Sequence, residues 1–315
     1  MTPLVATLSL RSALGTPLAG DTFFGQLCHA VREASGTDEV SRLLDGYTNG
    51  QPWLVLSDGF PHGYLPRPTM PPLTQSAAVG RKTAKGKRWI PRASATLALP
   101  QLLDAAANDE TAWGIGRVPK HKDAHHNTIN RCTGTTGTGE FAPYTQAQTF
   151  YAVGQLVDLH LVLDTSRYSV EKLDAAISAI GAMGFGRDAS IGLGKFDIES
   201  ITIGVSPAPT GEPSNPNAYW TLGPCAPQGQ GFDSKHSYWR VMTRFGRHGG
   251  TQALGANPFK RPVLMACAGA IFTPSDDYTP RLFIGQGLGG VSHAESTAVH
   301  QGYAPVLLVR MESAR

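Results

Sequence analysis

Apolar and polar positions alternate over residues 4–12 (LVATLSLRS), the period of a strand with one face in the core. Gly20-Asp21-Thr22 then opens a segment in which Phe23, Phe24, Leu27, Cys28 and Val31 fall on one helical stripe. Asp21 or Thr22 is placed to cap the free backbone N–H groups of that helix. The apolar run from Trp53 to Leu56 predicts a short strand, closed by the turn-rich Ser57-Asp58-Gly59-Phe60-Pro61.

The same order recurs in the middle of the chain. Val153, Gln155, Val157, Leu159, Leu161 and Leu163 alternate with Gly154, Leu156, Asp158 and His160. Ser169 stands as a cap before Val170, Leu173, Ile177 and Ile180, which are spaced for a helix, and Phe196 to Val205 reads as another strand. Residues 98–107 predict a short helix, and 117–146 a long polar loop or hairpin. Tyr238 to Phe245, Pro262 to Phe272, Arg281 to Ile284 and Tyr303 to Arg310 read as further strands. Residues 61–95 and 206–235, rich in Pro and Gly, read as irregular inserts. The pattern implies an α+β fold of two tandem ferredoxin-like (RRM-like) units with long inserts. The first unit covers 1–149, with its insert at about 61–146. The second covers 150–315 and carries a glycine-rich loop at 184–195.

Composition narrows the class. Thirty-six Gly and 23 Pro in 315 residues exclude a coiled coil, and the lack of a triplet period excludes collagen. The longest clean apolar run, Val263 to Phe272, is too short to cross a bilayer. The opening residues lack a basic start and a cleavage site, so a cytoplasmic protein is expected. Cys28, Cys132, Cys225 and Cys267 show no paired spacing and read as reduced thiols.

Net charge is only +3, but its distribution is uneven. Ten Lys and Arg between Arg81 and Arg131 face four acids, a local net of +6. Such a basic insert suits an anionic partner, or forms a solvated surface. The stretch GAMGFGRDASIGLGKF holds Gly184, Gly186, Gly192 and Gly194 among Arg187, Ser190 and Lys195. It is no P-loop, because Phe196 follows Lys195 where Ser or Thr is needed. It is no dinucleotide fingerprint either, because the helix precedes the glycines and the strand follows. A loop that approaches a polynucleotide backbone fits, as does one that only lets the chain turn tightly.

The run from Lys120 to Arg131 (KHKDAHHNTINR) gathers donors for phosphate, ribose and base edges. His121 and His125, four apart, raise a metal site, yet Cys132 is a poor third ligand and no HExxH is present. His125 or His126 can also serve as a general base. His29, near the apolar stripe of the first helix, suits packing. Trp89, Trp113, Phe141 and Tyr144 lie in the basic region, where aromatics stack on bases or pin the inserts to the body. No GxSxG motif or acidic metal cluster appears.

GDTFFGQLCHA, LVLSDGFPHGYLP, HNTINRCTG, GFGRDASIGLGKF, NPFKRPVLM and HQGYAPVLL occur in this order. Together they resemble the fourth-subunit family of type III-A CRISPR (Csm) effector complexes, within the RAMP superfamily, from about Leu4 to Val309. The resemblance implies two ferredoxin-like domains with a β-hairpin thumb, no nuclease activity, and neither metal nor cofactor. It implies a subunit that holds the crRNA 5′ handle, meets target RNA through the guide duplex, and contacts the large polymerase-like subunit and a backbone RAMP subunit. Gly184, Gly186, Arg187, Ser190, Gly192, Gly194 and Lys195 match the glycine-rich loop that approaches RNA. His126, Asn127, Asn130 and Arg131 match the block near the guide and handle, and Gly20, Asp21 and Thr22 match the opening of the first helix, where they either contact RNA or only shape the helix. Lys85, Lys87 and Arg88 fall in the variable basic insert and are assigned to thumb or guide-strand contacts. RAMP folds also host metal-independent crRNA-processing endoribonucleases, for which His126 or His29 would be the catalytic histidine.

Overall fold

The computed structural model describes residues 1–71, 86–204, 213, 215–249, 255 and 257–311. In chain order its elements are β1 (Thr2–Leu10), α1 (Gly20–Ser35), α2 (Thr37–Leu44), β2 (Leu54–Leu56), β3 (Phe60–Pro61), β4 (Tyr64–Pro66), β5 (Trp89–Pro91), α3 (Leu99–Asp104) and α4 (Asp109–Trp113). There follow β6 (Lys120–His126), β7 (Tyr144–Phe150), β8 (Gln155–Leu163), α5 (Val170–Met183), β9 (Phe196–Ile203) and β10 (Ala218–Thr221). The chain closes with β11 (Val241–Arg244), β12 (Val263–Ala266), β13 (Ile271–Phe272), β14 (Phe283–Gly285) and β15 (Tyr303–Val309).

Leu4 to Leu10 are all buried, polar and apolar alike, because β1 lies inside a sheet covered on both faces. β1 pairs with β8 on one side and with β9 on the other, both antiparallel, and β2 lies beyond β8. The spatial order β2–β8–β1–β9, with α1 and α5 as crossovers, is the connectivity of one ferredoxin-like unit. The two strand–helix–strand units in the sequence are therefore halves of a single sheet. The boundary between residues 149 and 150 runs through that sheet, since β1 and β8 are neighbours. The local period gives each strand, and only the register across 150 residues gives the pairing.

One face of this sheet buries Leu4, Ala6, Leu8, Leu159 and Leu161 against Phe23, Leu27, Leu173, Ile177 and Ile180 of the helices. On the other face Thr7 donates to Asp158 Oδ1 at 2.8 Å, His62 Nδ1 lies 2.8 Å from the same oxygen, and Gly63 N–H donates to Oδ2 at 3.0 Å. This buried carboxylate is thereby satisfied.

The second sheet, β13–β10–β15–β14, is antiparallel and has no α-helix among the described residues after β9. Its core instead takes Leu65 of β4, Ile90 of β5 and Leu102 of α3 against Trp220, Ile271 and Leu307. The stretch 61–95, read as irregular, thus contributes a hairpin to this core. Likewise β10, a central strand, lies inside the 206–235 stretch read as linker. The sheets meet where Gln301 accepts from Leu56 N–H at 3.1 Å and donates to Leu56 C=O at 3.3 Å. The Gln301 amide thereby continues the pairing of β2 as a further strand would. Tyr303 donates to the Tyr47 carbonyl at 2.6 Å beside it.

Two helical glycines separate packing from backbone preference. At Gly181 of α5 an added Cβ would fall 2.2 Å from the Phe196 carbonyl oxygen, whereas at Gly25 of α1 it would meet nothing within 4 Å. Gly25→Ala is expected to raise stability by about 0.5–1 kcal/mol. Gly181→Ala should lower it by about 1–3 kcal/mol through overpacking. Denaturant melts of the two variants check the opposite signs.

Candidate nucleic-acid interface

The loop after α5 turns back across itself. Phe185 N–H donates to the Gly194 carbonyl at 2.9 Å, and an added Cβ at Gly194 (φ +74°) would fall 2.1 Å from the Phe185 carbonyl oxygen. Gly184, at φ +107°, would meet the Leu193 carbonyl oxygen at 2.4 Å. These two glycines are fixed by the crossing. Gly192 at the tip has open space around it, and Ser190 beside it is exposed.

Other segments hold the loop in place. Gln26 of α1 donates to the Gly184 carbonyl and accepts from Gly186 N–H, both at 2.8 Å. Thr16 Oγ1 accepts from Arg187 N–H at 3.0 Å. The Arg187 guanidinium donates to the Ala147 carbonyl of β7 at 2.5 Å and lies 3.3 Å from Asp188. Gly194 N–H donates to the Ala13 carbonyl at 2.8 Å. Lys195 donates to the Ala182 carbonyl at 2.9 Å, which ties its ammonium to the end of α5. Three segments distant in sequence, the 13–16 turn, the glycine loop and the base of the β6–β7 hairpin, thus form one junction.

The hairpin stands out from this junction, with most residues of both strands exposed or half-buried. His126 stacks on Tyr144, ring centres 5.2 Å apart, and Lys122 lies over Phe150 at 5.7 Å. Asn130 shapes the tip, its Oδ1 accepting from Cys132 N–H at 2.9 Å. Asn127 and Arg131 are exposed. His121 and His125 share one face of β6 but are four strand positions apart, about 13 Å, too far to share an ion. Among the described residues no group of three His, Cys, Asp or Glu could hold a metal ion.

The other expected residues lie elsewhere. Arg88 pairs with Asp109, and Lys87 donates to the Asp104 carbonyl at 3.3 Å, so both pin the insert to itself. Lys85 lies outside the described residues. Trp89 donates to Asp109 at 2.7 Å and meets Trp113 edge-on, packing the insert rather than facing solvent as a stacking surface.

Gly20 and Asp21 are buried, contrary to an RNA-facing role. An added Cβ at Gly20 would fall 2.6 Å from the Leu56 carbonyl oxygen. Its N–H donates to Asp58 Oδ1 at 2.8 Å, so the cap of α1 comes from the turn after β2 and not from Asp21 or Thr22. Asp21 faces the separate β11–β12 ribbon, where Arg244 of β11 donates to both its oxygens at 2.5 and 3.0 Å, with His300 Nε2 at 3.3 Å. Burial would raise the Asp21 carboxyl, but His300 and Arg244 outweigh it and hold it below the usual carboxylate range. Arg244, His300, Gln26 and Thr16 carry no local motif that sequence reading could use.

Desolvation, assisted by the Asp21 charge, pushes the Asp58 carboxyl up to about 7, against the bond from Gly20 and the Arg244 charge. A carboxyl raised on folding makes the folded state bind the extra proton, so its contribution falls as pH rises from about 4 to about 7. Asp58→Asn keeps the acceptor for Gly20 and removes this loss. The stability difference, variant minus wild type, should grow by up to about 1.4 kcal/mol per pH unit across that window. Urea melts from acid to neutral pH check this; a constant difference would mean that Asp58 ionises normally.

No family model and no curated protein sequence matches the chain. Solved structures do. A chain of the Csm1–Csm4 cassette in complex with pppApA aligns with a TM-score of 0.62 and 14% identity over 100% of both chains. The cassette in complex with cA4 gives 0.62 and 14% over 99% of this chain and 100% of that one. A chain of the Csm3–Csm4 subcomplex in the type III-A CRISPR-Cas interference complex gives 0.58 and 14%, with the same coverage. Csm4 is the component common to all three. From end to end, this chain shares the fold of the matched chains of these Csm4-containing assemblies.

Proposed function

We propose that the chain is a non-catalytic crRNA-binding subunit of a type III-A CRISPR ribonucleoprotein, which holds the crRNA 5′ handle and joins the large subunit to the backbone RAMP subunits. The observation that carries this reading is the full-length likeness to a component found both with Csm1 and with Csm3. A subunit present in both assemblies has two protein faces. The junction of glycine loop and hairpin supports the RNA part. It sets a bare loop tip at Gly192 beside a projecting ribbon with exposed Lys120, Lys122, His125 and Arg131. Phosphate contacts from such groups position an RNA strand without reading its bases.

The rival from sequence, a histidine ribonuclease, requires a positioned base. His126 is stacked on Tyr144, and His29 Nδ1 lies 3.1 Å from Arg32. Burial, with the Arg32 charge, lowers the His29 ring, favouring its neutral form. These contacts give neither ring an evident partner for proton transfer.

A gel assay of the full chain with 5′-labelled repeat-containing RNA, in EDTA across a salt series, tests the reading. The RNA should shift intact, with binding that falls steeply as salt rises. Arg131→Ala should weaken binding and reduce the log–log salt slope by about 0.7, one phosphate contact on a single strand, while Arg187→Ala should weaken binding by freeing the glycine loop from β7. A discrete EDTA-resistant cut, lost in His126→Ala or His29→Ala, would overturn the non-catalytic reading.

A further inference from the structure

β9 is an outer strand of the first sheet, and among the described residues it pairs with β1 alone. Gly204 N–H donates to the Pro3 carbonyl at 2.9 Å, and Arg11 N–H to the Lys195 carbonyl at 2.9 Å. These two bonds set the phase at the two ends of the strand. Thr202, Ser200 and Asp197 therefore bond inward to β1. The N–H and C=O groups of Phe196, Ile198, Ile201 and Ile203 point the other way, where no described strand stands. The register shift between Thr7 and Leu8 makes Glu199 the extra residue of a bulge between the two halves.

Along that edge runs a groove of about 620 Å³, lined by β9 from Phe196 to Ile201 and by Glu171, Asp174, Ser178 and Ala182 of α5. The four helix positions, three and four apart, form one stripe about 16 Å long. The strand from Phe196 to Ile201 covers nearly the same distance, about 16 Å. Ser178 and Ala182 are small, which leaves room beside the strand. The groove thus has the length of a short extended segment and a row of unpaired main-chain donors and acceptors along one side.

Charge selects the occupant. The lining holds Glu171, Asp174, Asp197 and Glu199, and no Lys, Arg or His. Arg11 answers Asp197 at 2.5 Å, and Lys195 closes the loop end by donating to the Ala182 carbonyl. Glu171, Asp174 and Glu199 are exposed, on a chain whose net charge is +3. Such a groove repels the phosphates of RNA, and it repels the same edge of a second copy. Charges and bulges commonly guard sheet edges against unwanted pairing. A guard of one sign still admits a strand of the opposite sign.

We propose that β9 and the flank of α5 receive an extended cationic segment of a protein partner, added to the sheet as a further strand. Strand alternation puts every second side chain of such a segment on the α5 side, where Lys or Arg meets Glu171 and Asp174, with Glu199 at the bulge. Main-chain bonds to the edge supply affinity, and the carboxylates supply the choice of sequence. None of the groups assigned to RNA takes part, so this docking surface stands independently of the RNA reading.

The test is calorimetric titration of the full chain with a short peptide of alternating Lys and Val. The controls are the same peptide N-methylated along its backbone and a peptide of alternating Glu and Val. The Lys–Val peptide should bind and slow hydrogen exchange at the Ile198, Ile201 and Ile203 amides, and neither control should bind. Glu171→Gln, Asp174→Asn and Glu199→Gln should each weaken binding about 1.5- to 5-fold. The three side chains are exposed, so a cooperative melt verifies that each variant folds. Equal binding of the N-methylated peptide would reduce the effect to bare charge attraction and overturn the added strand. Wild-type affinity in the triple variant, unprotected β9 amides, or no binding of the Lys–Val peptide at about 1 mM would also overturn the proposal. Protection of β9 that rises with the concentration of the chain alone would make the edge a self-interface and overturn it too. A gel shift of repeat-containing RNA that persists in the triple variant would leave the RNA reading standing in every one of these cases.

Discussion

A carboxylate shut away from water at the first turn of α1 ties the β11–β12 ribbon to the helical face of the first sheet. Burying a charge is costly unless a partner of good geometry meets it. Asp21 has one in Arg244, which reaches it from β11 with two hydrogen bonds, and His300 lies beside it. The positive end of the helix dipole adds to the same charge. Removing either member of the ion pair would strand the other, a loss of about 3–5 kcal/mol. The pair also orients what is not buried. With Arg244 held inward, the alternate residues of β11 face solvent, and the ribbon stands in one orientation on α1.

The same helix anchors the candidate RNA-binding surface. Gln26 holds both ends of the Gly184–Gly186 turn, while Arg187 ties the loop to the base of the hairpin. Glycines at 184 and 194 permit the loop to cross itself at backbone contact distance, so their role is structural. The tip, with Gly192 and Ser190, remains free for an external strand. A rigid base with a bare tip is the arrangement expected of a loop that positions a polyanion through backbone and cationic contacts.

Much of this was legible in the sequence, and the failures have a common origin. The stripes of α1 and α5, the Ser169 cap and the strands of the first sheet follow from local period. What local period cannot give is partnership. Asp21 reads as a cap because aspartate at a helix start ordinarily is one, yet its partner lies 223 positions away. Gly20 reads as either RNA-facing or helix-shaping, and the nearby Leu56 carbonyl is what excludes a side chain there. The Pro-rich insert reads as irregular because its hairpin strands are three residues long, though Leu65 and Ile90 are fully buried. The six blocks, taken together, pointed to the fold, whereas individual residues within them divide between core and surface. Arg88 and Lys87, chosen for charge, are held by contacts within the insert.

The central claim is that this chain grips RNA through the glycine loop and the hairpin beside it, without cutting it. Ultraviolet crosslinking of the full chain to repeat-containing RNA, with adducts mapped by mass spectrometry, tests that most directly. The account predicts adducts in residues 184–195 and on the 120–131 arm of the hairpin, with the recovered RNA intact. RNA adducts absent from both segments, or RNA recovered cleaved at one position, would contradict it.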